Sequence, residues 1–250
     1  DPDFVKVPFA ALTSSKYLKK RMADFQAGKA GSSQKTLPGN PYESEETTHL
    51  SVIDSFGNAV SVTTTLNGSY GSKKVVEGAG FILNNEMDDF SVKPGVPNLY
   101  GVTGGEANAI APYKKMLSSM TPTIVLKNNH PAIVVGTPGG STIPTSVFQT
   151  ITQLIDFHRT PEQAVNSPKL HHQWTPDKIF VEKDFPKDVL DSLKKMGYEI
   201  AERGNIGRTE LITIEPWCCK IQSGKNKRVT QKNIITAIAD KRGDDDARGE

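Results

Sequence analysis

Residues 47–66 read TTHLSVIDSFGNAVSVTTTL and hold two runs rich in β-branched residues. The runs, Leu50–Asp54 and Ala59–Leu66, flank Ser55-Phe56-Gly57-Asn58, whose glycine and asparagine favour a tight turn. Two such runs around a short turn predict a β-hairpin. This hairpin is the local unit from which the rest of the chain can be interpreted.

Further strand and helix patterns lie on both sides of the hairpin. A second strand pair is predicted at Thr123–Lys127 and Ala132–Gly136. Spaced apolar residues predict helices at four places: residues 9–28 as one amphipathic helix, 147–155, 161–165 and 188–196. Strands that lead into helices and back to strands imply a layered domain of α and β elements.

Composition excludes two classes of function. The 30 basic and 28 acidic residues leave a formal charge of +2, which argues against a nucleic-acid groove. No apolar run approaches the roughly 18 to 20 residues that span a bilayer, and Asp1-Pro2-Asp3-Phe4 lacks the regions of a secretion signal. The two cysteines, Cys218 and Cys219, are neighbours, and we interpret them as unpaired thiols on a strand or loop. A vicinal redox pair and half of a metal site are the alternatives.

Thr47 is the candidate nucleophile. A threonine hydroxyl needs a base beside it, and one available base is the residue's own α-amino group, which exists only after the bond from Glu46 is cut. A free α-amino group has a pKa of about 7.7 to 8.0, so an appreciable fraction can accept a proton. Residues 28–46 are rich in Gly, Ser, Pro, Asn and Glu and predict an exposed linker before this bond. Thr48 is the rival position.

Several other polar groups have both functional and ordinary interpretations. Thr65 and Asn67 alternate, so both side chains lie on one strand face. The acidic run Asn84–Asp89 is either a solvated loop or an ammonium site. Pro138-Gly139-Gly140-Ser141 is either a plain turn or an anion-binding loop, without a Walker lysine or dinucleotide spacing. Adjacent His171 and His172 point opposite ways in an extended segment, so packing and hydrogen bonding are expected rather than a metal site.

Taken together, these motifs resemble the catalytic subunit of the gamma-glutamyltranspeptidase family. The resemblance covers about Pro8 to Ile214 and rests on motifs in the family's order: the run from Thr47, Thr65-Leu66-Asn67, Asn84–Phe90, Pro94–Asn98, Leu117–Met120, Pro138–Ser141 and His171–Trp174. It implies an α+β fold, the four-layer αββα sandwich of N-terminal nucleophile hydrolases. Most of the family's large subunit is absent from this chain, so the sandwich is expected to be partial.

The resemblance also implies a cut between Glu46 and Thr47. Residues 1–46 are then the C-terminal tail of the large subunit, and residues 47–250 are the catalytic small subunit. The threonine matching Thr65 hydrogen-bonds the nucleophile in the family. Thr47 would therefore serve first in self-cleavage and then against substrate.

The family implies roles for the remaining motif residues. Asn67 is expected to contact substrate. The backbone N–H groups of Gly139 and Gly140 are expected to form the oxyanion hole, where glycine lets the backbone approach the developing charge. Asn67-Gly68-Ser69 is also a glycosylation sequon, but a glycan there would block the proposed pocket.

A clamp for the glutamyl group is implied as well. The positions matching Glu86 and Asp89 bind the substrate's α-ammonium group, and those matching Ser118 and Ser119 bind its α-carboxylate. Residues 94–108, with Tyr100, match a lid over the pocket in many members, which favours small substrates such as glutathione.

The expected activity is transfer or hydrolysis of γ-glutamyl amides through a γ-glutamyl-enzyme. The acceptor would be an amino acid, a peptide or water, with no cofactor and no metal. The expected partner is the large subunit in a heterodimer, whose missing part supplies an arginine for the α-carboxylate, with no nucleic acid and no membrane span. A periplasmic or extracellular location is implied by the family alone. Alternatives are the same chemistry on poly-γ-glutamate or a β-lactam side-chain amide, or a non-catalytic half that serves as a binding module.

Overall fold

The computed structural model describes residues 1–33, 47–96, 98, 104–173, 176–218 and 231–249. Within that part, the chain forms two compact units, each built from three segments. The first unit comprises Asp1–Ser44, Leu66–Ser119 and Pro168–Ile206, and the second comprises Glu45–Thr65, Met120–Ser167 and Gly207–Glu250. These units describe packing, whereas the predicted boundary at Thr47 concerns a covalent cut and stays a prediction.

The regular elements of the described residues are short strands and helices. The strands are β1 Thr47–Ile53, β2 Ala59–Thr65, β3 Thr123–Lys127, β4 His130–Gly136, β5 Leu170–His171, β6 Ile179–Glu182, β7 Ile200–Arg203, β8 Glu210–Cys218 and β9 Gln231–Ile238. The helices are α1 Phe9–Leu12, α2 Ser15–Arg21, α3 Ile143–Ile155, α4 Pro161–Asn166 and α5 Lys187–Lys195. The predicted hairpin, the second strand pair and the three later helices are confirmed.

The hairpin of the second unit is held by its turn. β1 and β2 are antiparallel, and Ile53 pairs with Ala59 next to the turn. The Asp54 carboxylate accepts the Phe56 and Asn58 N–H groups at 2.9 and 2.8 Å, which closes the turn. Because the turn sets the register, Thr47 pairs with Thr65 at the open end.

A four-stranded antiparallel sheet, in the order β3-β4-β8-β9, forms the centre of the second unit. One face of this sheet packs on α3 and α4 through Ile133, Val135, Leu211, Val147 and Val165, all buried. Successive side chains of a strand point to opposite faces, so Val134 and Gly136 lie on the other face. There the hairpin packs, and the Ser61 hydroxyl donates to the Val135 carbonyl at 3.1 Å. Helices, sheet and hairpin therefore form three successive layers.

The first unit contains a smaller mixed sheet. β6 pairs antiparallel with β5 and parallel with β7. Glu182, at the end of β6, is buried and its carboxylate accepts the Lys169 and Ile206 N–H groups at 2.7 and 2.8 Å. A buried carboxylate is tolerated when such hydrogen bonds compensate its desolvation. The Glu182 carboxylate thereby connects the segment just before β5 with the segment just after β7.

The prediction of one helix over residues 9–28 is wrong in extent. The segment forms α1 and α2, which are separated at Thr13 and Ser14. The Ser14 hydroxyl accepts the Tyr17 N–H at 3.2 Å, so it caps a new helix instead of continuing the first. The apolar residues that suggested one stripe, Leu12, Tyr17, Leu18, Met22 and Phe25, are exposed. No helix in the described part of the chain is long and apolar enough to cross a membrane.

Candidate active site

Thr47 is the first residue of β1 and lies across from Thr65, the last residue of β2. The Thr47 hydroxyl donates to the Thr65 hydroxyl at 3.4 Å, and both side chains are partly buried. The predicted contact between these two threonines is therefore present. It follows from the hairpin register, which places position 47 opposite position 65.

His49 shares the strand face of Thr47 because it lies two residues along β1. Its ring is 3% exposed and bonds Thr63 Oγ1 through Nδ1 at 2.8 Å and Ser51 Oγ through Nε2 at 3.0 Å. Burial lowers the pKa of His49 to about 4, so the ring is neutral near pH 7. No role was predicted for His49 from the sequence, although its alternation with Thr47 is a usable signal.

The glycine loop, Pro138-Gly139-Gly140-Ser141, follows β4 and leads into α3. Gly139 and Gly140 are buried and have φ values of 134° and 55°, in the region that favours glycine. A Cβ atom on Gly139 would lie 2.5 Å from Thr142 Oγ1. Position 139 therefore requires glycine for both backbone conformation and space, and position 140 favours it for backbone conformation.

Asn67 belongs to the first unit. Its side chain is 4% exposed, its φ is 75°, and its Nδ2 donates to the Asn85 carbonyl at 3.2 Å. The Gly68 N–H donates to Asn85 Oδ1 at 2.8 Å, so these contacts join the segment after β2 to the acidic run. A buried, bonded amide is a poor glycosylation acceptor, in agreement with our interpretation of the sequon.

The acidic run forms a 3₁₀ turn over Glu86–Asp89. Burial, together with the nearby carboxylates of Glu86 and Asp88, raises the pKa of Asp89 to about 6. Burial also raises the pKa of Glu86. Carboxylates whose ionisation is disfavoured in this way are stabilised by a cation, and an ammonium group supplies one. Nowhere in the described ranges do three or more His, Cys, Asp or Glu side chains group as a metal site would require.

The remaining predicted residues are placed as follows. Ser118 is exposed and Ser119 is partly buried, and both lie at the end of the first unit's second segment, Leu66–Ser119. Within the predicted lid, residues 94–108, the Gly95 N–H donates to the Gly104 carbonyl at 2.9 Å. This hydrogen bond connects two parts of that segment. Glu46 and Tyr100 lie outside the described residues, as do Trp174 and Cys219.

The two adjacent histidines are engaged with side chains. His171 is buried, and its Nε2 is 2.7 Å from Gln173 Oε1. His172 Nε2 is 3.5 Å from Asp177 Oδ1. The expectation of packing and hydrogen bonding is confirmed.

The structure therefore groups the predicted residues by unit. Thr47, Thr65, Gly139 and Gly140, which were assigned to the chemistry, belong to the second unit. The residues assigned to substrate binding belong to the first unit: Asn67, Glu86, Asp89, Ser118 and Ser119.

Comparison with known proteins defines the class and the family. A gamma-glutamyltranspeptidase mutant from Helicobacter pylori matches with a TM-score of 0.70 and 50% identity, covering 78% of this chain and 100% of that one. The fold is that of an N-terminal nucleophile hydrolase, as expected. The family profile "Gamma-glutamyltranspeptidase" matches residues 1–248. The chain belongs to the gamma-glutamyltranspeptidase family.

Two curated relatives give the same assignment. The glutathione hydrolase proenzyme of Escherichia coli (strain K12) is 49% identical over 218 residues, which is 86% of this chain and 38% of the relative. The glutathione hydrolase proenzyme of Pseudomonas aeruginosa is 49% identical over 219 residues, 86% of this chain and 39% of the relative. The chain thus spans under two fifths of the length of these relatives.

Proposed function

We propose that this chain contains the catalytic part of a γ-glutamyl hydrolase and transferase that activates itself by cleavage before Thr47. The observation that carries the proposal is the Thr47–Thr65 hydroxyl pair at the open end of the hairpin. Relatives named glutathione hydrolase proenzyme, at 49% identity, support both the substrate class and the processing. Residues 1–46 are then the tail of a large subunit and residues 47–250 the small subunit.

In the precursor, the Thr47 hydroxyl attacks the Glu46 carbonyl carbon. The Glu46–Thr47 C–N bond breaks, an ester to Thr47 Oγ forms, and the freed nitrogen takes a proton. Water then hydrolyses that ester, which releases the Glu46 carboxylate and restores the hydroxyl. The product is a threonine that carries both a nucleophile and a base.

In the mature enzyme, the Thr47 α-amino group accepts the hydroxyl proton while Oγ attacks the γ-carbonyl of the donor. The N–H groups of Gly139 and Gly140 stabilise the oxyanion, and the leaving amine takes the proton. Water or an amine then attacks the γ-glutamyl ester and regenerates Thr47. Thr65 orients the nucleophile through the hydrogen bond between its hydroxyl and the Thr47 hydroxyl.

In this proposal, carboxylate, hydroxyl and amide side chains bind the donor's α-amino-acid end. Glu86 and Asp89 pair with the α-ammonium group. Burial raises the pKa of both carboxyl groups, and neighbouring carboxylates raise that of Asp89 further, so a bound cation would favour their ionised forms. Ser118 and Ser119 donate hydroxyls to the α-carboxylate, and Asn67 contacts the donor. Tyr100 belongs to a lid over the site.

The proposed partner is a large subunit. The hairpin face opposite the site carries Leu50, Val52, Val60 and Val62, each more than 40% exposed. Four neighbouring apolar side chains on one face are typical of a surface covered by protein. An extracellular or periplasmic location remains part of the proposal.

The experiment compares Thr47→Ala, Thr47→Ser and Thr48→Ala in the full-length protein. We expect mass spectrometry to find a fragment that begins at residue 47 in the wild type and in Thr48→Ala, and none in Thr47→Ala. The wild type and Thr48→Ala should release p-nitroaniline from γ-glutamyl-p-nitroanilide, and Thr47→Ala should not. Thr47→Ser should release it more slowly than the wild type. Cleavage or turnover that survives Thr47→Ala would overturn the proposal.

Donor assays separate the substrate alternatives. Glutathione and γ-glutamyl-p-nitroanilide should be turned over faster than poly-γ-glutamate. Inactivity on both small donors with activity on the polymer would transfer the assignment to the polymer. A chain that never cleaves and stays inert with its large subunit would be a binding module.

A further inference from the structure

Two buried threonines flank the glycine loop, and their hydroxyls donate hydrogen bonds to carbonyl oxygens of that loop. Thr137 Oγ1 donates to the Pro138 carbonyl at 2.7 Å, and Thr142 Oγ1 donates to the Gly139 carbonyl at 2.7 Å. Both threonines are 0% exposed. A buried hydroxyl pairs with whatever acceptor its packing allows, and here both acceptors belong to consecutive peptide groups.

Those two peptide groups are the ones that carry the oxyanion-hole N–H groups of the proposed function. The Pro138 carbonyl shares a planar peptide with the Gly139 N–H, and the Gly139 carbonyl shares one with the Gly140 N–H. In a trans peptide the C=O and N–H bonds point in opposite directions. A donor fixed on the oxygen therefore fixes the direction of the N–H on the far side of the same plane.

We propose that Thr137 and Thr142 are positioning residues for this oxyanion hole, each orienting and polarising one N–H donor through the carbonyl of its peptide group. The inference rests on the proposed function of Gly139 and Gly140. Hydrogen bonds in a chain polarise one another, so a donor on the carbonyl oxygen makes the attached N–H a stronger donor. Neither threonine touches the substrate.

The surroundings hold both hydroxyls in place. The Thr142 N–H also donates to the Gly139 carbonyl, at 3.0 Å, so that oxygen has two donors from one residue. Thr137 Oγ1 accepts the Arg208 N–H at 2.8 Å, which leaves its own proton directed at Pro138. A Cβ atom on Gly207 would lie 2.7 Å from Thr137 Oγ1, so glycine there leaves room for the hydroxyl.

Glycine-rich loops are conformationally flexible, since glycine has access to more backbone conformations than other residues. An oxyanion hole works only if its donors already point at the developing charge. The two hydroxyls supply that rigidity at the positions where the backbone alone does not.

The test replaces each hydroxyl by a methyl group of similar shape in the full-length protein. Thr142→Val is the main variant, and Thr142→Ser is its rescue because it keeps the hydroxyl. Thr150→Val is the matched control: Thr150 is also 0% exposed, lies on α3 and donates to a backbone carbonyl, that of Ser146 at 2.9 Å. Thr137→Val and Thr137→Ser repeat the comparison for the other peptide.

We expect Thr142→Val to lower kcat on γ-glutamyl-p-nitroanilide about tenfold, less than the 10²–10³-fold typical when an oxyanion donor is removed. KM should change less than twofold, and rates are expressed per cleaved molecule. A glutamate analogue with boron in place of the γ-carbonyl carbon should bind about tenfold more weakly, whereas glutamate should bind unchanged. Thr142→Ser should restore most of both losses.

Thr150→Val should lower Tm by about as much as Thr142→Val does, and it should leave kcat and the affinity for the boronate near the wild-type values. Equal effects of Thr142→Val and Thr150→Val on kcat, or an unchanged boronate affinity in Thr142→Val, would overturn the inference. A wild-type activity that survives Thr47→Ala would instead overturn the proposed function, so the two failures are distinguishable.

Discussion

Thr47 and Thr65 face each other across the open end of the β1–β2 hairpin, with 3.4 Å between their hydroxyl oxygens. The distance is long for a hydroxyl pair, for which about 2.7 to 2.8 Å is usual. The pair is therefore aligned by the strand register more than by the strength of its hydrogen bond. Register can bring two hydroxyl groups together even when the hydrogen bond between them is weak.

For the proposed γ-glutamyl transfer, Thr65→Val should lower kcat about three- to tenfold, since one hydrogen bond contributes about 0.5 to 1.5 kcal/mol. KM for the donor should change little. Steady-state kinetics on the cleaved protein measure both. Thr64→Val is the control because the side chain of Thr64 is exposed on the opposite strand face. Equal losses in both variants would indicate a general effect on the hairpin.

Glutamate binding should weaken as the pH falls through about 6, the value to which burial and neighbouring carboxylates raise the pKa of Asp89. In the proposed site, an ionised Asp89 pairs with the ligand's ammonium group, and a protonated one does not. Titration calorimetry between pH 5 and about 8 measures the dissociation constant.

Two variants sharpen this pH dependence. Asp89→Asn should bind weakly with little pH dependence in this range. Asp88→Asn removes one of the charges that raise the pKa of Asp89, so the acid limb should move to lower pH. An acid limb that persists unchanged in Asp89→Asn would assign the titration to another group.

His49 should make the protein less stable in acid. Burial lowers its pKa from 6.5 to about 4, so the unfolded chain binds the proton more readily than the folded one. The stabilisation is complete above pH 6.5 and is lost as the pH falls through about 4. Thermal unfolding measured across this range should show a smaller decline of Tm in His49→Gln.

His130→Gln is the control for His49, since His130 is exposed. It should reproduce the wild-type decline of Tm with acid. A smaller decline of Tm with acid in His130→Gln than in His49→Gln would contradict the assignment of the acid sensitivity to His49.

Arg242→Ala should destabilise the protein by about 3 to 5 kcal/mol, the usual loss when one partner of a buried ion pair is removed. Arg242 Nη1 lies 2.9 Å from Asp240 Oδ1, and these side chains are 6% and 0% exposed. The same guanidinium donates to the Val165 and Ser167 carbonyls, at the end of α4. Urea denaturation measures the change.

Arg248→Ala is the matched control for Arg242, since its side chain is 89% exposed. The free energy of unfolding should change by less than about 0.5 kcal/mol. A loss in Arg242→Ala no larger than this would show that the buried pair contributes little.

The parts of the fold that were predicted correctly depend on short-range features. The hairpin follows from its two β-rich runs and from a turn whose Asp54 carboxylate bonds residues two and four positions ahead. α3 and α5 follow from the spacing of their apolar residues. The error over residues 9–28 was also local, because Ser14 can start a helix as readily as continue one.

The candidate site was predicted from the order of its motifs and not from contacts. Sequence indicated which residues to examine, including Thr47, Gly139 and Gly140. It did not indicate His49, nor the hydroxyls of Thr137 and Thr142 on the glycine loop. Those contacts depend on where neighbouring elements place a side chain within a few tenths of an ångström.

By itself, the sequence determined the hairpin, because strand alternation and turn chemistry act over a few residues. The contact between Thr47 and Thr65 was implied by the family resemblance, and the structure shows the register that places them opposite each other. Only the tertiary structure decided which hairpin face turns inward. The apolar face with Leu50 and Val62 is exposed, while the polar face with His49 packs on the sheet beside Gly136. Hydrophobicity alone would have chosen the reverse; the buried hydroxyl and imidazole groups are tolerated because they satisfy one another's hydrogen bonds.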